Sequence, residues 1–113
     1  MISVKSNTDL EKLRAAGRIA GRALKLAGES VRAGMTTKEL DKIVHDYIVS
    51  CGATPSFLGY GGFKGSACIS INNEVIHGIP SSKRKIADGD IVSVDVGAYY
   101  NGFHGDTCAT FAV

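Results

Sequence analysis

Ile91-Val-Ser-Val-Asp-Val-Gly-Ala-Tyr-Tyr-Asn-Gly-Phe-His-Gly-Asp-Thr-Cys-Ala-Thr-Phe-Ala-Val113 carries the strongest structural signal in this sequence. Two runs rich in β-branched and aromatic residues flank Asn101-Gly102, a dipeptide that tolerates the positive φ angles of a two-residue hairpin turn. With those two residues as the loop, Tyr100 pairs with Phe103, Gly97 faces Asp106 and Asp95 faces Cys108. Side chains alternate between faces along a strand, so Ser93, Asp95 and Gly97 share one face with His104, Asp106, Cys108 and Thr110. Val92, Val94 and Val96 share the other with Ala109, Phe111 and Val113. One face is apolar and packs. The other sets two carboxylates as diagonal neighbours, their Cβ atoms roughly 7–8 Å apart or less. Acids so placed are either solvated edge residues or oxygen ligands for divalent cations, and a bulge at Gly105 would break the parity.

Upstream, Ala67-Cys-Ile-Ser-Ile71 reads as a strand, Asn72-Asn73 as a turn and Glu74-Val-Ile-His77 as the return, with Pro80 ending regular structure. Before them come two helices. Thr8-Asp-Leu-Glu11 has the pattern of a capping box with Thr8 as N-cap. The helix it starts has Leu13, Gly17, Ala20, Leu24, Ala27 and Val31 on its inner face and Gly34 as its terminator. Gly17, Ala20, Gly21 and Ala27 are small enough for a close approach to a sheet or a second helix, while Arg14, Arg18, Arg22 and Lys25 mark a solvated outer face. Thr36-Thr-Lys-Glu39 repeats the capping pattern for a second helix. Its apolar face is Leu40, Ile43, Val44, Tyr47, Ile48 and Cys51, Gly52 stops it, and His45 falls on its flank as a surface residue. Ser81 to Asp90 is a polar connector in which Lys83, Arg84 and Lys85 form a solvated run.

Composition narrows the function classes. One domain is expected from 113 residues, and 44% hydrophobic with 21% charged content is ordinary for a globular protein. A formal charge of +2 with no basic stripe interleaved with aromatics argues against nucleic acid. No run is long enough to span a membrane, and the N-terminal residues lack the apolar core of a signal peptide, so a cytoplasmic location is expected. Cysteines at 51, 68 and 108 make an odd count without a CxxC pair, which fits reduced thiols. Phe57-Leu-Gly-Tyr-Gly-Gly-Phe-Lys-Gly65 is glycine-rich, but it fails the P-loop pattern and leads into a strand, so it is not a phosphate cradle.

Val94-Asp95-Val96, Gly102-Phe-His-Gly-Asp106-Thr and Ile76-His77-Gly-Ile-Pro80, with Asp9-Leu-Glu-Lys-Leu-Arg-Ala-Ala-Gly17-Arg near the N-terminus, together resemble type I methionine aminopeptidase. The resemblance runs from about Val4 to Val113. It implies an α+β fold, half of a pita-bread fold, with an antiparallel sheet and two helices on one face. It implies removal of N-terminal methionine from peptides and nascent proteins, with Asp95 and Asp106 as ligands to two divalent ions (Co, Mn, Fe or Zn) that activate a water. His77 is then the catalytic group that meets the scissile amide. Tyr60 and Phe63 belong to the loop bordering the pocket for the first side chain, where Gly61 and Lys64 depart from the usual histidine and proline. His104 shares the carboxylate face and is a candidate third ligand to a single ion, and Cys108 reads most simply as a buried inert thiol.

Two aspartates supply charge −2 against +4 for two divalent ions. The family completes the shell with a histidine and two glutamates from a second half of the fold. The chain is therefore expected to be the first half of such a domain, weak or inactive by itself and only partly occupied by metal. Phe111-Ala-Val113 lies within an apolar strand, leaving an edge that a second copy could cover as a homodimer if the missing C-terminal half does not. A non-catalytic, self-associating module is the alternative function.

Overall fold

The computed structural model describes residues 7–58, 65–72 and 79–113. Its centre is the expected hairpin. Strand β3 (Ile91–Tyr100) pairs with β4 (Phe103–Ala112) in an unbroken antiparallel register from Tyr100 opposite Phe103 to Ile91 opposite Ala112. Asn101 at φ 51° and Gly102 at φ 86° make the turn, the two positive angles that match a right-handed hairpin twist. Gly105 pairs with Ala98 without a bulge. Two shorter strands share the other edge of β3: β1 (Thr54–Pro55), with Thr54 opposite Tyr99, and β2 (Ala67–Ile71), with Cys68 opposite Asp95. Among the described residues all strand pairings are antiparallel, and β3 is the inner strand.

Helices α1 (Asn7–Ser30) and α2 (Thr37–Ser50) cover the apolar face. Helix α1 buries Ala16, Ala20, Ala23, Leu24 and Ala27. Its inner stripe is thus shifted from the expected one: Gly17 is exposed and Leu13 only half-buried. The cause lies on the strand. A Cβ on Gly105 would sit 2.5 Å from the Ala16 carbonyl and the Gly17 nitrogen, so the helix backbone rests directly on β4 and alanines form the seam. Gly28 plays the same part further along, against the Phe111 ring. The helix already includes Asn7, which places Thr8 within its first turn and not at the N-cap. It also ends before Gly34. That glycine, at φ 90°, lies in the connector and donates its N–H to Ile86 O at 2.7 Å.

Helix α2 follows its sequence signals more closely. Thr36 caps it, its Oγ1 accepting from Glu39 N–H at 3.1 Å and donating to Glu39 Oε1 at 3.1 Å. Thr37, Leu40, Val44 and Ile48 are buried, whereas Ile43, Tyr47 and Cys51 are half-buried. Gly52, at φ 76°, follows its end. The core between the layers joins Val92, Val94, Val96 and Ala98 of β3 to Ile69 and Ile71 of β2 and to both helices. Full burial of each large aliphatic contributes about 1.5–3 kcal/mol. Lys83, Arg84 and Lys85 are exposed as expected, but Ile86 beside them is 1% exposed, pinned by its N–H to Met35 O at 2.7 Å.

Candidate functional site

The sheet face turned away from the helices carries the chemistry. Ser93, His104, Asp106, Cys108 and Thr110 are exposed there, and Asp95 is half-buried. Asp95 sits on the inner strand between two thiols, with Cys68 of β2 and Cys108 of β4 as its direct cross-strand partners. Asp106 lies opposite Gly97 and is therefore the diagonal neighbour of Asp95. The exposure of Cys108 corrects the expectation of a buried thiol.

Gly97 opens space at this point. A Cβ there would meet Ser56 Cβ at 2.9 Å, so the missing side chain lets Ser56 and Phe57 come in over the strand. Ser56 donates its N–H to Gly97 O at 2.9 Å, and its Oγ lies 2.8 Å from His104 Nδ1. The His104 ring also packs on Tyr99, with centroids 4.5 Å apart and planes tilted by 41°. These contacts shape a groove of about 320 Å³ lined by Ser56, Phe57, Gly97, His104, Gly105 and Asp106.

Electrostatics set Asp95 apart from an ordinary surface carboxylate. Burial, a hydrogen bond with Asp106 and the charge of Asp106 push the Asp95 carboxyl up to about 6. Two acids crowded in this way share a proton or attract a cation. Their oxygens are hard donors, so the pair suits a divalent ion. Among the described residues no three His, Cys, Asp or Glu side chains gather closely enough to hold a metal. His104 therefore does not complete a three-residue site with Asp95 and Asp106, and its Nδ1 is occupied with Ser56. His77, Tyr60 and Phe63, the other expected site residues, lie outside the described residues.

Helix α2 supplies two polar residues that sequence reasoning did not single out as a pair. Asp41 Oδ1 accepts from both Ser66 N–H and Ala67 N–H at 2.8 Å, and His45 Nδ1 lies 2.8 Å from Ser66 Oγ. His45 is half-buried and partnered, not a free surface residue. Burial holds the Asp41 carboxyl above its usual range, although the two N–H donors and His45 pull the other way. Their i, i+4 spacing beside the apolar face of α2 was the available signal.

Among the described residues no helix is long and apolar enough to cross a membrane. The family model for metallopeptidase family M24 matches residues 11–113. A methionine aminopeptidase of Clostridium acetobutylicum is 50% identical over 113 residues, covering 100% of this chain and 45% of that protein. One of Clostridium perfringens is 51% identical over the same length and share. The crystal structure of methionine aminopeptidase from Rickettsia prowazekii superposes with a TM-score of 0.93 at 40% identity, over 100% of this chain and 45% of that one. The chain thus spans a little under half the length of these relatives, and its α+β architecture is the one found in that part of the pita-bread fold. With the match extending from the first helix to the last strand, the chain belongs to metallopeptidase family M24.

Proposed function

We propose that this chain is the half of a methionine aminopeptidase catalytic domain that brings Asp95 and Asp106 to a divalent-metal site, for hydrolytic removal of methionine from the N-termini of peptides and nascent proteins. The observation that carries this reading is the carboxylate pair: two acids on adjacent strands, diagonal neighbours in the register, with Asp95 pushed up to about 6 by burial and by Asp106. The methionine aminopeptidase relatives, about half identical along the whole chain, point the same way.

In this reading Asp95 and Asp106 hold the ions, Mn²⁺, Fe²⁺, Co²⁺ or Zn²⁺, two in the complete site. A divalent ion bound by carboxylates lowers the pKa of water and polarises a carbonyl. In the same reading the groove beside Asp106, with Phe57 on its wall, would take the substrate's first side chain. Tyr60 and Phe63 would line the same pocket, and His77 would donate a hydrogen bond or proton at the scissile amide. The remaining ligands would come from sequence matching the rest of the relatives' length, and the protein would work in the cytoplasm.

Fragment complementation tests this. The chain, mixed with the unmatched segment of the Clostridium acetobutylicum relative and Mn²⁺ or Co²⁺, is expected to release methionine from Met-Ala-Ser. Asp106→Asn should abolish the release, and release that survives the substitution contradicts the proposal. The methionine aminopeptidase relatives do not favour a self-associating module. Native mass spectrometry at tens of micromolar checks the point: a dimer supports a second copy of this chain in place of the other half, and monomer alone removes it.

A further inference from the structure

Asp41 and His45 lie one helical turn apart on α2, and both reach the start of β2. Ser66 is gripped twice: its N–H by Asp41 and its Oγ by His45. An Asp, a His and a Ser in contact suggest a nucleophile, but Ser66 is 1% exposed and so closed to substrate. The cluster holds backbone. That grip has a purpose in the sheet, because it sits at the very start of β2, a strand of five residues that pairs with β3. It ends at Ala67, one residue before Cys68, the direct cross-strand partner of Asp95.

We propose that Asp41 and His45 are positioning residues for the carboxylate site: they fix the end of β2 against β3 and so hold in place the strand that walls Asp95. This rests on the reading of Asp95 and Asp106 as divalent-ion ligands. The Asp41 carboxylate makes its two bonds from a single oxygen on a rigid helix, a geometry that sets position as well as strength. Without it the first residues of β2 lift from β3, Asp95 gains solvent and rotamer freedom, and the two carboxylates lose their mutual preorganisation.

The experiment measures Mn²⁺ affinity by electron paramagnetic resonance and amide exchange by NMR on the whole chain, for wild type, Asp41→Ala, Asp41→Asn and Asp46→Asn. Asparagine keeps a carbonyl oxygen for the two N–H donors. Asp46, exposed on the same helix and paired with Lys42 at 2.7 Å, is the control. Asp41→Ala is expected to weaken Mn²⁺ binding by roughly 10-fold and to speed exchange across the β2–β3 ladder. Asp41→Asn should restore both, and Asp46→Asn should change neither. Equal affinity and equal exchange in Asp41→Ala overturn the proposal. If that variant does not fold, His45→Ala decides, since it removes the Ser66 Oγ contact and leaves the Asp41 carboxylate on its two N–H donors: faster exchange over Ala67–Ile69 supports the grip and unchanged exchange overturns it. Failure of the wild-type chain to take up Mn²⁺ overturns the ligand reading instead, and the exchange data alone then judge whether Asp41 and His45 position β2.

Discussion

The two faces of β3 are built from alternate residues of one strand, yet they answer to different physics. Val92, Val94, Val96 and Ala98 point into the helices and are essentially fully buried, so their contribution is area removed from water and close packing. Ser93, Asp95 and Tyr99 point the other way, and there the dominant quantity is charge. On the packed side an added methyl group is already too much at Gly105, which rests on the α1 backbone. On the open side burial and the nearby Asp106 make Asp95 hold its proton more tightly, and a cation would relieve that crowding of charge. A single strand thus separates what holds the fold together from what gives it chemistry.

Exchanging the characters of the two faces should have the largest effect. Val96→Asp places a carboxylate in the core without a partner and should cost at least about 4 kcal/mol, enough to unfold the chain; urea denaturation followed by circular dichroism checks it. Gly105→Ala comes next, because a methyl group would push α1 off β4, with an expected loss of about 1–3 kcal/mol by the same measurement. The open face should respond with the opposite sign. Asp95 holds its proton more tightly in the folded chain, about 6 against 3.8 unfolded, so the folded state binds more protons across that window. Metal-free stability should therefore fall as pH rises from roughly 4 to 6. Asp95→Asn should flatten that slope and stabilise the chain at pH 7 by on the order of 1 kcal/mol, the shift being discounted because Asp95 is only partly buried. The smallest effect belongs to a pair on neither face: Asp46→Ala breaks the exposed Lys42 contact and should leave the thermal midpoint unchanged within error.

How much was legible depended on whether a contact was written in local spacing. The hairpin register followed from Asn101-Gly102 and strand parity, and with it the juxtaposition of Asp95 and Asp106. The cap at Thr36 was equally local. The inner stripe of α1 was not, because it is set by a glycine on β4, some ninety positions further along the sequence. A helix that sits on a strand backbone selects alanine over leucine, which a count of apolar periodicity does not reveal. Ile86 directly follows a solvated run of lysines and arginine, with no periodicity to mark it as core, and is held there by backbone bonds to Gly34 and Met35. Asp41 and His45 were hidden for the same reason: their partners, Ser66 and Ala67 at the entry to β2, are more than twenty residues away.

The central claim is that the open face is half of a divalent-metal site, and Mn²⁺ uptake tests it most directly. A paramagnetic resonance titration of the wild-type chain at pH 7 should show Mn²⁺ bound, and Asp106→Asn should weaken the affinity by roughly 10–100-fold while the fold is retained. Equal binding by the two proteins, or none by the wild type, would contradict the account.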